Sequence, residues 1–194
     1  TGNGPEATTF IAEYNTAKNE ALPMSKRWTA LQKATTLASG EDFFKVVAFG
    51  DSKDWFMRNA SLVALDKSGS DMVYDQAKKL ITDKALVVRS ASADILMRLN
   101  SDEVKRIFSA ELEKKYNFNG KSSLWIRKQM MVHLVRNANT NERDFYVKYL
   151  YDQDVEIAAL SSKALEKITK IRFTAANNKE LVQKWQKAAK QEKW

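Results

Sequence analysis

The sequence predicts an all-α fold, specifically a right-handed α-solenoid of about five helical hairpins followed by a C-terminal capping helix. The first observation is a set of five equivalent positions, here called the slots: Arg27, Arg58, Arg89, Arg127 and Ala158. They are separated by 31, 31, 38 and 31 residues. Self-similarity of this period is typical of solenoids, in which each unit buries its apolar face against its neighbours.

The second observation is a stripe of apolar or small residues around each slot. Positions −1, +4 and +7 lie on one face of an α-helix, so each slot predicts a helix with one buried face. We call these the second helices. The stripe residues are Met57, Val88 and Ile126 at −1; Leu31, Leu62, Ala93, Met131 and Ser162 at +4; and Ala34, Leu65, Leu96, Leu134 and Leu165 at +7.

Further amphipathic segments lie between the second helices and predict the first helix of each hairpin. They cover residues 6–18, 41–49, 71–82, 102–115 and 142–151. Asp54, Ser123 and Asp154 stand four residues before three of the slots. Side chains of these types accept bonds from free backbone N–H groups, so we expect them to cap the second helices.

At the level of motifs, the stretches DWFMRNASLVAL, ALVVRSASADIL, SLWIRKQMMVHL and DVEIAALSSKAL resemble the second helix of HEAT repeats. They are most similar to the short HEAT-like repeat named after phycobilisome lyases. The resemblance covers residues 20–170 and departs from the pattern at Ala158, in a seven-residue insertion, and in a period below the ~40–47 residues of ordinary HEAT repeats. It implies a fold, whereas HEAT-like proteins serve many functions.

The predicted organisation is a disordered stretch at 1–5, the solenoid at 6–170 and a basic amphipathic capping helix at 171–194. Leu181, Val182 and Trp185 lie along one side of that last helix, and a terminal unit with a polar outer face is what a solenoid end needs. A membrane-surface role is the alternative for such a helix, and we do not expect it.

Composition excludes several classes of chemistry. The 194-residue chain contains no cysteine and a single histidine, His133, which rules out thiolate catalysis, disulfides and cysteine-based zinc sites. We predict no catalytic residue, no cofactor and no metal. The absence of a long apolar run predicts no transmembrane segment, and we expect a monomer. The chain starts at Thr1 without a methionine, which suits a processed or trimmed precursor. The sequence leaves the compartment open: cytoplasmic or, if an export signal preceded Thr1, periplasmic.

Charge suggests where a partner binds. The net charge is +8, and four cations stand nine residues after successive slots: Lys67, Arg98, Arg136 and Lys167. In a stacked solenoid they would form a basic column, with neighbouring helices roughly 8–10 Å apart. The column could bind an acidic partner on the concave face. Alternatively, each cation compensates the free carbonyls at the end of its own helix.

Other prominent residues favour structural roles. The slot arginines, with upstream aspartates, resemble the Asp–Arg ladder that locks neighbouring HEAT-like units. We expect Trp28, Trp55 and Trp125 to pack between hairpins, the alternative being stacking platforms for bases or a pocket for a cation. His133 is expected to be a hydrogen-bonded interior residue.

The insertion at 114–123 contains Tyr116, Phe118 and the turn signal Asn119-Gly120, and predicts an ordered loop. Its aromatic side chains either close the local core or bind a partner.

These observations favour a non-catalytic scaffold that binds a protein, of unknown identity, through Lys67, Arg98, Arg136 and Lys167. The alternative is nucleic-acid binding through a basic surface. It includes an activity like that of the HEAT-like alkylpurine DNA glycosylases, for which Asp54 beside Trp55 is the nearest candidate pair.

Overall fold

The computed structural model of the protein describes residues 7–194. The predicted disordered stretch at 1–5, and the predicted helix start at residue 6, lie outside the described residues. Within them the all-α prediction is confirmed, because eleven α-helices are joined by short turns and one small hairpin of two-residue strands. The chain divides into two compact units, the first ending at Leu96 and the second comprising Met97–Trp194.

The first unit contains six helices. They are α1 (Phe10–Lys18), α2 (Met24–Leu37), α3 (Asp42–Val47), α4 (Trp55–Lys67), α5 (Met72–Leu80) and α6 (Leu86–Leu96), with a 3₁₀ turn at Ala48–Asp51 after α3. Helices α1, α3 and α5 each pack on the helix that follows. The helices that carry the slots also pack side by side, α2 on α4 and α4 on α6.

The second unit contains five helices and the hairpin. They are α7 (Asp102–Glu111), β1 (Phe118–Asn119), β2 (Ser122–Ser123), α8 (Trp125–Arg136), α9 (Arg143–Tyr149), α10 (Val155–Thr169) and α11 (Asn178–Gln191). Helix α7 packs on α8, and α10 contacts α8, α9 and α11.

The predicted stripe forms the core of both units. All thirteen stripe residues, at positions −1, +4 and +7, are buried. Burying each of the larger stripe side chains, the valine, isoleucine, leucine and methionine residues, stabilises the fold by about 1.5–3 kcal/mol, so the stripe accounts for much of the packing of the second helices. This result confirms the register that the sequence predicts.

Two of the three predicted caps are wrong. Asp154 caps α10 by accepting from the Glu156 amide at 3.0 Å, as expected. Asp54 occupies the cap position of α4, but its side chain does not bond the helix. Ser123 is not at the cap, which is Leu124. In both cases the side-chain oxygen accepts a hydrogen bond from an arginine instead.

The insertion is ordered, as the sequence predicts. Gly120 has a φ of +62°, a value that favours glycine, and lies in the turn between β1 and β2. The buried Asn117 donates to the Glu111 carbonyl at 2.9 Å, and the guanidinium of Arg127 lies 4.3 Å from the centre of the Phe118 ring. Phe118 therefore contributes to the packing of its own unit.

The last helix is shorter than predicted, because residues 171–177 precede α11 as irregular chain. Val182, Trp185 and Ala189 are its buried residues. Val182 clusters with Ala158 and Ala159 of α10. This contact explains why the last slot holds alanine, since an arginine side chain would occupy the space that α11 fills.

Candidate functional site

The slot arginines form ion pairs with aspartates in the loops that precede the next slot helices. In the first unit Arg27 Nη1 lies 2.8 Å from Asp54 Oδ2, and Arg58 binds Asp83 through two bonds of 2.6 and 2.9 Å. In the second unit Arg127 binds Asp152 at 2.7 and 3.1 Å. We call these three pairs the arginine–aspartate ladder.

The ladder arginines also bind backbone carbonyls. Arg27 Nε donates to the Ala17 carbonyl at 3.0 Å, and Arg127 Nε donates to the Leu112 carbonyl at 2.9 Å. Both acceptors lie at or near the end of the preceding first helix. Each of these arginines therefore connects three successive chain segments, which supports the structural interpretation of the slots.

Arg58 and Arg89 repeat one further contact. Arg58 Nη1 donates to the carbonyls of Ser52 and Lys53, and Arg89 Nη1 donates to those of Asp83 and Lys84. In both cases the acceptors stand six and five residues before the arginine. The repetition of a hydrogen-bond pattern at equivalent positions is independent support for the sequence register.

The ladder accounts for Asp54, the residue that a glycosylase-like activity would require. Its carboxylate is held by a buried arginine, and Trp55 beside it is 45% exposed. Because the carboxylate lies against Arg27, its position is explained without any catalytic role.

The four predicted partner-binding cations are all exposed, one in the first unit and three in the second. The side chains of Lys67 and Arg136 have no ion-pair partner among the described residues. Arg98 does interact with other parts of the protein. The four cations therefore differ in their contacts although they share one repeat position.

Lys167 contacts its neighbouring helix. Its Nζ donates to the carbonyls of Val135 and Arg136 at 3.0 and 2.8 Å. The buried Lys105 donates to the next carbonyl, that of Asn137, at 2.5 Å, and lies 3.2 Å from Glu142. Helix C-termini carry partial negative charge and free acceptors, which these lysines satisfy. At Lys167 the structure therefore favours charge compensation at a helix end.

Exposed apolar side chains occur at the start of five slot helices, at positions −3 or −2. We call this set the apolar row; its members are between 43% and 57% exposed: Met24, Trp55 and Val87 in the first unit, and Trp125 and Val155 in the second. For Trp55 and Trp125 the predicted packing between hairpins is wrong, because positions −3 and −2 lie in the first turn of a helix on its solvent-facing side. The sequence does contain a signal for this row. An apolar residue recurs before every slot when positions −3 and −2 are considered together instead of one position alone.

In the first unit the apolar row borders a groove. The groove has a volume of about 270 Å³ and is lined by Met24, Trp28, Trp55, Phe56, Asn59 and Val87. The Asn59 Oδ1 atom is buried and has no hydrogen-bond partner among the described residues.

His133 is buried, as predicted, but only partly hydrogen-bonded. Its Nδ1 lies 3.4 Å from the Asn137 side-chain amide, and its Nε2 has no hydrogen-bond partner in the part of the chain that the structure describes. The ring packs edge-on against Phe108, with centroids 5.3 Å apart. Burial lowers the pKa of His133 below its ordinary value, and the nearby Arg136 and Lys105 lower it further.

Within residues 7–194 no group of three or more acidic or histidine side chains is arranged to hold a metal ion. None of the helices described has both the length and the apolarity needed to cross a bilayer. No protein-family model matches the sequence, and no curated protein matches it.

Proposed function

We propose that this protein is a non-catalytic interaction scaffold, an α-solenoid of about five HEAT-like hairpins that binds an extended segment of a protein partner. The observation that carries the proposal is the apolar row. Soluble proteins expose single apolar residues freely, but Met24, Trp55 and Val87 of this row border one groove in the first unit, and such a cluster indicates a surface used for binding.

The residues that line the groove in the first unit determine what this surface can bind. Trp28, Trp55 and Phe56 offer large apolar contact areas, and tryptophan is enriched among the residues that dominate binding energy. An extended peptide suits such a groove, since its side chains alternate between faces and can place apolar groups against these rings.

A peptide-display selection tests the proposal. Peptides that bind the intact protein should be enriched in apolar residues, and Trp55→Glu should weaken their binding at least tenfold, as loss of a dominant contact does. The matched control is Phe44→Glu, because Phe44 is 63% exposed but does not line the groove. Equal weakening by both substitutions, or no selectable peptide, would reject the groove as the binding surface.

Binding to an anionic partner, including nucleic acid, is the second candidate. The exposed cations Lys67 and Arg136 favour it, since neither pairs with a carboxylate in the part of the chain that the structure describes. As a further arm of the same experiment, oligonucleotide affinity is measured at two salt concentrations. A phosphate-backbone binder loses affinity steeply with salt, and should lose it on Lys67→Glu or Arg136→Glu while Trp55→Glu has little effect.

We do not extend the proposal to a glycosylase-like activity. Such chemistry requires a carboxylate that can approach a substrate, whereas the Asp54 carboxylate is bonded to Arg27 at 2.8 Å.

A further inference from the structure

A separate cavity in the first unit collects positive charge around one tyrosine. It has a volume of about 280 Å³ and lies between α1, α2, α3 and the 3₁₀ turn after α3. Its lining includes the cations Lys18, Arg27 and Lys45, the aromatic residues Tyr14 and Phe49, and the carboxylates Glu20 and Asp51. These residues come from several elements, so the fold rather than a local sequence run creates the cluster.

Two lysines share the same aromatic ring. Lys18 Nζ lies 5.1 Å from the centre of the Tyr14 ring, and Lys45 Nζ lies 5.5 Å from it. Neither lysine forms an ion pair among the described residues. The attraction of an exposed ammonium to a ring is small, about 0.5–1 kcal/mol, so both lysines remain available to an anion.

The two carboxylates that line the cavity, Glu20 and Asp51, pair with other lysines. Glu20 binds Lys53 at 2.6 Å, and Asp51 binds Lys79 at 2.5 Å. Consistently, the hydrogen bond to Glu20 raises the pKa of Lys53 above its ordinary value. Both carboxylates are therefore matched by lysines other than Lys18 and Lys45.

Arg27 adds a third cation with a fixed position. Its Nε and Nη1 are held by Ala17 and Asp54, while its Nη2 has no partner among the described residues. The side chain is buried, and the guanidinium remains charged at any physiological pH. The Tyr14 hydroxyl likewise makes no hydrogen bond within the described chain. Arg27 and Tyr14, both in the lining of the cavity, thus have donors that the described chain does not use.

We propose that this cavity binds a small phosphomonoester, with the phosphate held by Lys18, Lys45 and Arg27. Three cations suit a group that carries about −1.5 to −2 charge and three acceptor oxygens, whereas a carboxylate would match only one of them. The volume lies just below the roughly 300 Å³ at which pockets for drug-sized ligands begin. The ligand is therefore a compact molecule rather than a nucleotide. This site is distinct from the groove and does not depend on the proposed function.

The test is a titration of the intact, isotope-labelled protein with three probes at constant ionic strength: inorganic phosphate, phosphoserine as the free amino acid, and acetate. Saturable amide shifts around Tyr14 and Lys45 are expected with both phosphate probes, and phosphoserine should bind more tightly because it fills more of the cavity. Lys18→Gln and Lys45→Gln should each weaken phosphate binding about tenfold, the effect of one charged hydrogen bond.

The matched control is Lys84→Gln, which removes the same charge from an exposed lysine of the same unit outside the cavity. It should change the affinity less than twofold. Absence of saturable shifts, acetate binding as tight as phosphate, or equal losses in the control and the two cavity variants would each overturn the proposal. All three variants alter exposed side chains, and unchanged spectra outside the cavity verify that they remain folded.

Discussion

At the residue scale, Arg127 shows how hydrogen bonds and an ion pair stabilise a buried cation. The side chain is 1% exposed, yet all three guanidinium nitrogens donate, to Leu112, Ser123 and Asp152. The Phe118 ring covers the guanidinium at 4.3 Å. A buried charge is destabilising unless it is paired and hydrogen-bonded. Removing one member of the Arg127–Asp152 pair should therefore lower the stability by more than the intact pair contributes.

We therefore expect Arg127→Met to lower the free energy of unfolding by about 3–5 kcal/mol, since it leaves the Asp152 carboxylate unpaired in a largely buried position. The double variant Arg127→Met with Asp152→Asn should recover part of that loss. Urea denaturation measures both. The control is Lys128→Ala, which breaks an exposed pair with Glu156 and should cost no more than about 1 kcal/mol. Similar losses at positions 127 and 128 would contradict the structural role of the ladder.

His133 gives the second residue-scale prediction. Its pKa is lowered from 6.5, so the unfolded chain binds this proton more readily than the native protein does. Stability should consequently fall as the pH drops below about 6.5, with a slope of at most about 1.4 kcal/mol per pH unit for one proton. The unfolding midpoint in urea, followed from about pH 7.5 to about pH 5, measures the effect.

His133→Gln removes the titrating group and should flatten this part of the stability profile. A variant that keeps the wild-type slope would assign the acid sensitivity to other groups. Above pH 7 histidine is neutral in both states, so any difference in stability there reflects packing against Phe108 rather than charge.

At the scale of the helix, the stripe makes each second helix dependent on its neighbours. Leu96 and Leu134 occupy the +7 position of α6 and α8 and are buried. We expect Leu96→Ala and Leu134→Ala each to cost about 2–5 kcal/mol, because truncation removes apolar contact and leaves a cavity. The control, Leu37→Ala at an exposed site, should fall within about 0.5 kcal/mol of wild type. Losses below about half a kcal/mol at both buried leucines would contradict the packing.

The helices and the stripe were predictable from the sequence because they follow from a period. A residue at +4 or +7 from a slot lies on the buried face whatever the loops do, and the thirteen stripe residues are buried accordingly. Helix ends were less predictable. Asp54 and Ser123 have the right chemistry for caps, but arginines that are distant or on the next turn compete for their oxygens.

The candidate sites were less predictable, since they depend on residues brought together from separate segments. Lys18 and Lys45 both lie near the Tyr14 ring although they belong to different helices, α1 and α3. Lys167 reaches the carbonyls at the end of α8 from the adjacent helix. No periodicity in the sequence encodes either contact, although the apolar row was visible as a recurrence at −3 and −2.

At the scale of the whole molecule, the chain ends with a helix that differs from the repeats. Helix α11 buries Val182, Trp185 and Ala189 and keeps lysines on its outer face. Gln186 Nε2 also donates to the Leu150 carbonyl at 2.8 Å. The helix thus covers the Ala158 and Ala159 face of α10 while its own outer face stays polar.

A chain truncated before Asn177 should therefore expose the Ala158 and Ala159 face of α10 and lose the core contribution of Trp185. Loss of a single buried aromatic side chain costs about 3–5 kcal/mol, so we expect a lower melting temperature or aggregation. The full-length variant Lys187→Ala, which changes only the outer face of α11, controls for removal of basic charge and should melt like the wild type. Thermal unfolding and light scattering measure stability and aggregation, and liposome sedimentation tests the alternative role of a basic amphipathic helix. If the truncated chain melted like the wild type but no longer sedimented with anionic vesicles, α11 would be a membrane-binding element and not a cap.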